Sequence, residues 1–183
     1  MDARDEVRGR KVVGGYTAFI CMLPGSFRHL ADDYLRAAEG CEARDDFPRV
    51  KLFLYCKSIE LSLKAFLFAK GVPLAEMKGR EGIGHNLERG LEKAKFVGLL
   101  DIVEVPCLYE EELRKANYYY VKKQGTEYLD DYEVVMKGSQ FPSLKVLSGF
   151  ASMLVEKLEE PMRELVEILV DKYSGAGRED YLG

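Results

Sequence analysis

The chain has 183 residues, 47% of them hydrophobic and 32% charged, and a net charge of −4 from 27 Lys and Arg against 31 Asp and Glu. That length suits one domain with a sizeable core, and the mildly acidic balance gives no global basic field of the kind a dedicated nucleic-acid binder carries, although a local patch is compatible with it. No run of about 18 apolar residues occurs, which excludes a membrane-spanning helix, and no membrane partner is expected. The four cysteines, Cys21, Cys41, Cys56 and Cys107, are far apart with no C-x-x-C pair, and read as reduced thiols of a cytoplasmic protein.

Residues 1–25 read as an irregular N-terminal arm. MDARDEVRGRK mixes both signs of charge, and the apolar run that follows is split by Gly14 and Gly15, its YTAFICML portion expected to lie on the core. Acids at Asp2, Asp5 and Glu6 and the lack of a small-residue cleavage site argue against a secretory signal. From Ser26 an amphipathic helix begins, with Phe27, Leu30, Ala31, Tyr34, Leu35 and Ala38 on one stripe and a stop near Gly40. His29 falls on its polar side and is expected to be solvated. The short link ARDDF then favours an antiparallel neighbour.

The helix predicted over 48–70 is the one the others surround. Leu52, Tyr55, Cys56, Ile59, Leu63, Phe66 and Leu67 recur at helical spacing, and Leu54, Leu61, Ala65 and Phe68 cover a neighbouring face. Asp45 and Asp46 are cap candidates, Pro48 suits the first turn, and Gly71 followed by Pro73 is a stop. Glycines 79, 82 and 84 predict a flexible loop, after which His85 or Asn86 opens a helix carrying Leu87, Leu91, Ala94 and Val97 and ending at Gly98. LLDIVEV, 99–105, reads as a single turn or a brief extended piece. Pro106 opens a further helix whose inner stripe is Tyr109, Leu113, Ala116 and Tyr120, with Glu110, Glu111 and Glu112 near its start and basic residues later, as the helix dipole favours. A loop with a short strand at 133–136 precedes a last helical region over 143–173, in which Pro161 should kink the helix or start a second one. The tail 174–183 is expected to be disordered. The fold class is therefore all-α, an antiparallel bundle of about five helices over 26–173.

Three groups of residues are candidates for chemistry. Glu60 and Lys64 are one turn apart in the favourable order, with Lys57 on the same side, so they form the central helix's polar stripe, which is either solvated and pair-satisfied or borders a groove or dimer seam. Asn86, beside His85, is of a type that caps a helix. Tyr118 and Tyr119, followed by Lys122 and Lys123, pair aromatic surfaces with cations, a combination suited to stacking bases and holding phosphate, although helix tyrosines more often pack. With only two histidines and no Glu-x-x-His spacing, no metal and no cofactor are expected.

The sequence IELSLKAFLFAKG at 59–71, paired with GHNL at 84–87 after a first helix of the F-x-x-L-A-x-D-Y-L-x-A-A type, resembles the HEPN (higher eukaryotes and prokaryotes nucleotide-binding) family of helical domains over roughly residues 26–170. That resemblance implies an interaction module associated with nucleotide or RNA, commonly a homodimer, in prokaryotic defence or toxin–antitoxin settings. Catalytic members of the family are metal-independent ribonucleases with an R-x(4–6)-H signature on a helix. Here the formal match is Arg80 and His85, in a glycine-rich loop that does not supply the rigid placement catalysis needs. The preferred expectation is a non-catalytic module. The alternatives are a ribonuclease using Arg80 and His85, and a helical partner of a nucleotidyltransferase.

Overall fold

A computed structural model describes residues 8–13, 16–21, 24–42, 48–78, 82–121 and 141–164. The described part of the arm is not irregular: β1 (Arg8–Val13) and β2 (Tyr16–Cys21) pair antiparallel, from Val13 opposite Tyr16 to Arg8 opposite Cys21. Gly14 and Gly15, which separate the strands in sequence, lie outside the described residues. Gly-Gly between two β-forming runs is a hairpin signal, and it outweighs the mixed charge of the flanks.

The packed part is all-α. Helices α1 (Pro24–Gly40), α2 (Arg49–Ala69), α3 (Leu74–Met77), α4 (Leu87–Phe96), α5 (Cys107–Val121) and α6 (Leu144–Lys157) follow in order, with a 3-10 turn at Leu99–Asp101. Helix α2 packs against α1, α4, α5 and α6, so the helix with two apolar faces is indeed the surrounded one. Its seven predicted core positions are all buried. Burial of Leu52, Ile59, Leu63, Phe66 and Leu67 contributes roughly 1.5–3 kcal/mol each, more than any surface pair supplies. Helices α1 and α2 are antiparallel neighbours, the start of one meeting the end of the other where Phe27 and Phe68 pack edge to face at 6.2 Å.

The ends of α2 differ from expectation on one side. Pro48 occupies the N-cap position with no side-chain cap bond, and Asp45 and Asp46 lie outside the described residues. At the other end Gly71 has φ +79°, its N–H donates to the Phe68 carbonyl, and the Val72 N–H reaches back to Leu67, both at 3.0 Å. That pair of bonds is a Schellman close, which requires the left-handed residue glycine supplies. Before the glycine-rich loop comes one helical turn that the sequence did not announce, α3, because Leu74 and Met77, three apart, both insert into the core.

The remaining helices close the bundle. Asn86 caps α4, accepting the Arg89 N–H at 3.0 Å. Ser143 caps α6, accepting from Val146 at 3.4 Å, while its own N–H donates to the buried Glu112 carboxylate of α5 at 2.5 Å. Phe150 of α6 stacks on Tyr109 of α5 at 5.0 Å. Arg28 ties α1 to the end of α6, donating to the Val155 carbonyl at 3.3 Å and pairing with Glu159 at 3.0 Å. Helicity breaks at Leu158 and resumes over 159–164, so Pro161 lies in the first turn of a second segment, where its missing N–H costs little. The expected strand at 133–136 and the tail 174–183 lie outside the described residues.

Candidate functional site

Phe53, Lys57, Glu60 and Lys64 are spaced by four, three and four residues, which places them on one stripe of α2. Two other elements converge on that stripe. The turn before α4 brings His85, following Gly84 in the left-handed conformation at φ +55°, and α5 brings Tyr120 from its inner face. The turn is held in place by its own polar bonds. Asn117, buried on α5, accepts the Leu87 N–H at 2.8 Å and donates to the Asn86 side chain at 3.3 Å and to Glu88 at 2.8 Å.

Glu60 is the hub. It is 4% exposed, not solvated, because α5 and the turn before α4 cover the stripe that α2 by itself would have left wet. Lys64 Nζ donates to its Oε1 at 2.6 Å, and its Oε2 receives Lys57 Nζ at 3.3 Å, His85 Nδ1 at 3.1 Å and the Tyr120 hydroxyl. Burial by itself would raise the carboxyl, but the Lys64 charge and hydrogen bond, the Tyr120 hydroxyl and the Lys57 charge outweigh it and hold the group at about 2. The same contact works in reverse on Tyr120, whose phenol is pushed up by burial, then by the Glu60 charge and hydrogen bond. Cys56, fully buried beside this stripe, is pushed up by desolvation and then by Glu60, so it is an inert thiol.

The partners differ in exposure. The Lys57 and Lys64 side chains are 21% and 13% exposed, whereas the His85 ring is 68% exposed and sits on the outside of the cluster, edge-on to Tyr120 at 6.3 Å. Phe53 also packs on Tyr120, ring centroids 5.8 Å apart. Two lysines against one carboxylate leave one unit of positive charge at a position bordered by aromatic rings. Such a surface suits an anion attached to a flat or hydroxyl-bearing body. By contrast, the cleft between α4 and α5 lined by Glu88, Glu92, Lys95, Glu110 and Arg114 encloses only about 50 Å³, below the size of a ligand site. Among the described residues no group of three or more His, Cys, Asp and Glu converges as a metal site would require.

The other candidates are dispersed. Asn86 is engaged by the Arg89 N–H and by Asn117. Tyr118 is 53% exposed, but helical geometry turns it away from Tyr120, so it does not join the Glu60 cluster. Tyr119 is buried against Phe141, ring centroids 5.8 Å apart, and offers no face to a base. Arg80, Lys122 and Lys123 lie outside the described residues. Sequence spacing joined Lys57, Glu60 and Lys64; it did not join His85 and Tyr120 to them, nor reveal the buried Asn117, because those contacts cross between elements.

Compared with family models, curated proteins and solved structures, the chain has no match. No helix among the described residues is long and apolar enough to cross a membrane.

Proposed function

We propose that this chain is a HEPN-like helical interaction module that holds a nucleotide or single-stranded RNA at the Glu60 cluster. The observation that carries the reading is the convergence of Lys57, Lys64 and His85 on one buried carboxylate, with positive charge left over and an exposed imidazole at the rim. The lysines meet phosphate and the ring meets the sugar or base. The module acts in the cytoplasm, following the reading of its cysteines as reduced thiols, and as a homodimer in a prokaryotic defence or toxin–antitoxin setting, following the family resemblance.

A second reading, a metal-independent ribonuclease, is favoured by one contact. An imidazole backed by a buried carboxylate is the arrangement general acid–base chemistry uses, and His85 has that backing. A helical partner of a nucleotidyltransferase is a third, and co-purification with such an enzyme would reveal it.

The test is direct. Fluorescence anisotropy with labelled single-stranded RNA, in parallel with a cleavage assay containing EDTA, is run on the parent and on His85→Ala after circular dichroism has shown unchanged helicity. Binding without cleavage, weakened by the substitution, supports the module. Cleavage that vanishes in the variant makes the ribonuclease reading the right one, and neither binding nor cleavage refutes both.

A further inference from the structure

The Glu60–His85 contact carries information about which imidazole nitrogen a ligand meets. Glu60 Oε2 lies 3.1 Å from His85 Nδ1. An ionised carboxylate only accepts hydrogen bonds, so the nitrogen facing it must carry the proton. Both Glu60 oxygens are already anchored, Oε1 by Lys64 and Oε2 by Lys57 and Tyr120, so the carboxylate cannot swing to another position to suit the ring. The turn that carries the ring is fixed in the same way, by the Asn86 cap and by Asn117. Among the described residues nothing bonds Nε2, and the ring is mostly exposed.

We infer that Glu60 is a positioning residue that sets His85 in its Nδ1–H tautomer, presenting an unprotonated Nε2 to the ligand. A neutral Nε2 of this kind is an acceptor, so the ligand group that complements it is a hydrogen-bond donor. On an RNA strand whose phosphate meets Lys57 and Lys64, the donors are the ribose 2′-hydroxyl, which DNA lacks, and the N–H groups of the bases, which DNA shares; the hydroxyl alone is offered by every nucleotide whatever its base. The sugar hydroxyl is accordingly the donor assigned to Nε2, and the comparison of RNA with DNA separates it from a base donor. This ligand assignment rests on the RNA-binding reading above, whereas the tautomer assignment rests on the geometry alone.

The two are tested separately. Long-range proton–nitrogen NMR correlation on uniformly labelled protein, at a pH where the imidazole is neutral, distinguishes the tautomers by their nitrogen shifts. The free protein is expected to show the Nδ1–H form at His85, and the Nε2–H form would overturn the inference. Glu60→Gln keeps the side-chain shape but offers both a donor and an acceptor, so it should shift the ring to a tautomer mixture; an unchanged Nδ1–H population there would show that Glu60 does not set it. Anisotropy with RNA and with DNA of the same sequence is the ligand arm. RNA should bind about tenfold tighter, the difference being lost in Glu60→Gln. Equal affinity for the two strands would overturn the sugar reading, and no binding of either strand would refute the proposed function while leaving the tautomer result standing.

Discussion

Glu60 makes acid stability a quantitative probe of the site. Its carboxyl is lowered from 4.5 to about 2 in the folded protein. For a depressed acid, the stabilisation is fully present above the unfolded value and is lost as pH falls toward the folded value, which puts the loss between 4.5 and about 2. The shift of 4.5 − 2 = 2.5, at about 1.36 kcal/mol per pH unit, amounts to roughly 3 kcal/mol at neutral pH, and linkage places about 2 kcal/mol of it between about pH 5 and pH 3. Glu60 is nearly fully buried, so little solvent screening reduces this figure. The perturbation is Glu60→Gln, which removes the titration and keeps the volume. The assay is urea unfolding followed by circular dichroism at a series of pH values, for parent and variant. Every other carboxylate titrates in both proteins, so the difference between their stabilities isolates Glu60. The parent's advantage should shrink by about 2 kcal/mol as pH falls from about 5 to about 3. A difference that stays constant with pH would refute the reasoning, because Glu60 would then not be an ion held by Lys64, Lys57 and Tyr120.

Other perturbations probe the scaffold. Phe150→Ala removes a fully buried ring stacked on Tyr109 and should cost about 3–5 kcal/mol in urea unfolding; a loss below about 1 kcal/mol would place Phe150 outside the core. Gly71→Ala meets no neighbouring atom within 4 Å, so its cost should be conformational only, about 1 kcal/mol from φ +79°, and a stabilised variant would contradict the left-handed close of α2. Asn117→Ala strands the Leu87 N–H and loosens the turn carrying His85. It should cost about 1–3 kcal/mol of stability, and hydrogen exchange of the Leu87 amide should speed up; unchanged exchange would sink that role.

Most of the bundle was legible in the sequence. Periodicity located α1, α2, α4 and α5, and local stop and start chemistry located Gly71, Asn86 and Ser143, because each of those signals acts within a turn of helix. Where two local signals competed, the reading failed. The break at Gly14 and Gly15 looked like an interruption of one apolar run, yet the runs on either side of it pair as antiparallel strands. Leu74 and Met77, between the stop at Gly71 and the glycine-rich loop, belonged to no periodic run, yet burial holds them as a helical turn.

The site divides along the same line. That Lys57, Glu60 and Lys64 share a stripe follows from helical geometry, and the sequence by itself determines it. Whether that stripe is wet or buried is a property of what packs over it, and only the tertiary structure decides that, by bringing His85 from 25 residues away and Tyr120 from 60 residues away onto one carboxylate. Tyr120 shows the limit most plainly: its place on the inner stripe of α5 was readable, but the partner of its hydroxyl was not. A residue's face is set by its own backbone, whereas its hydrogen-bond partners are set by the crossing of elements that no local pattern encodes.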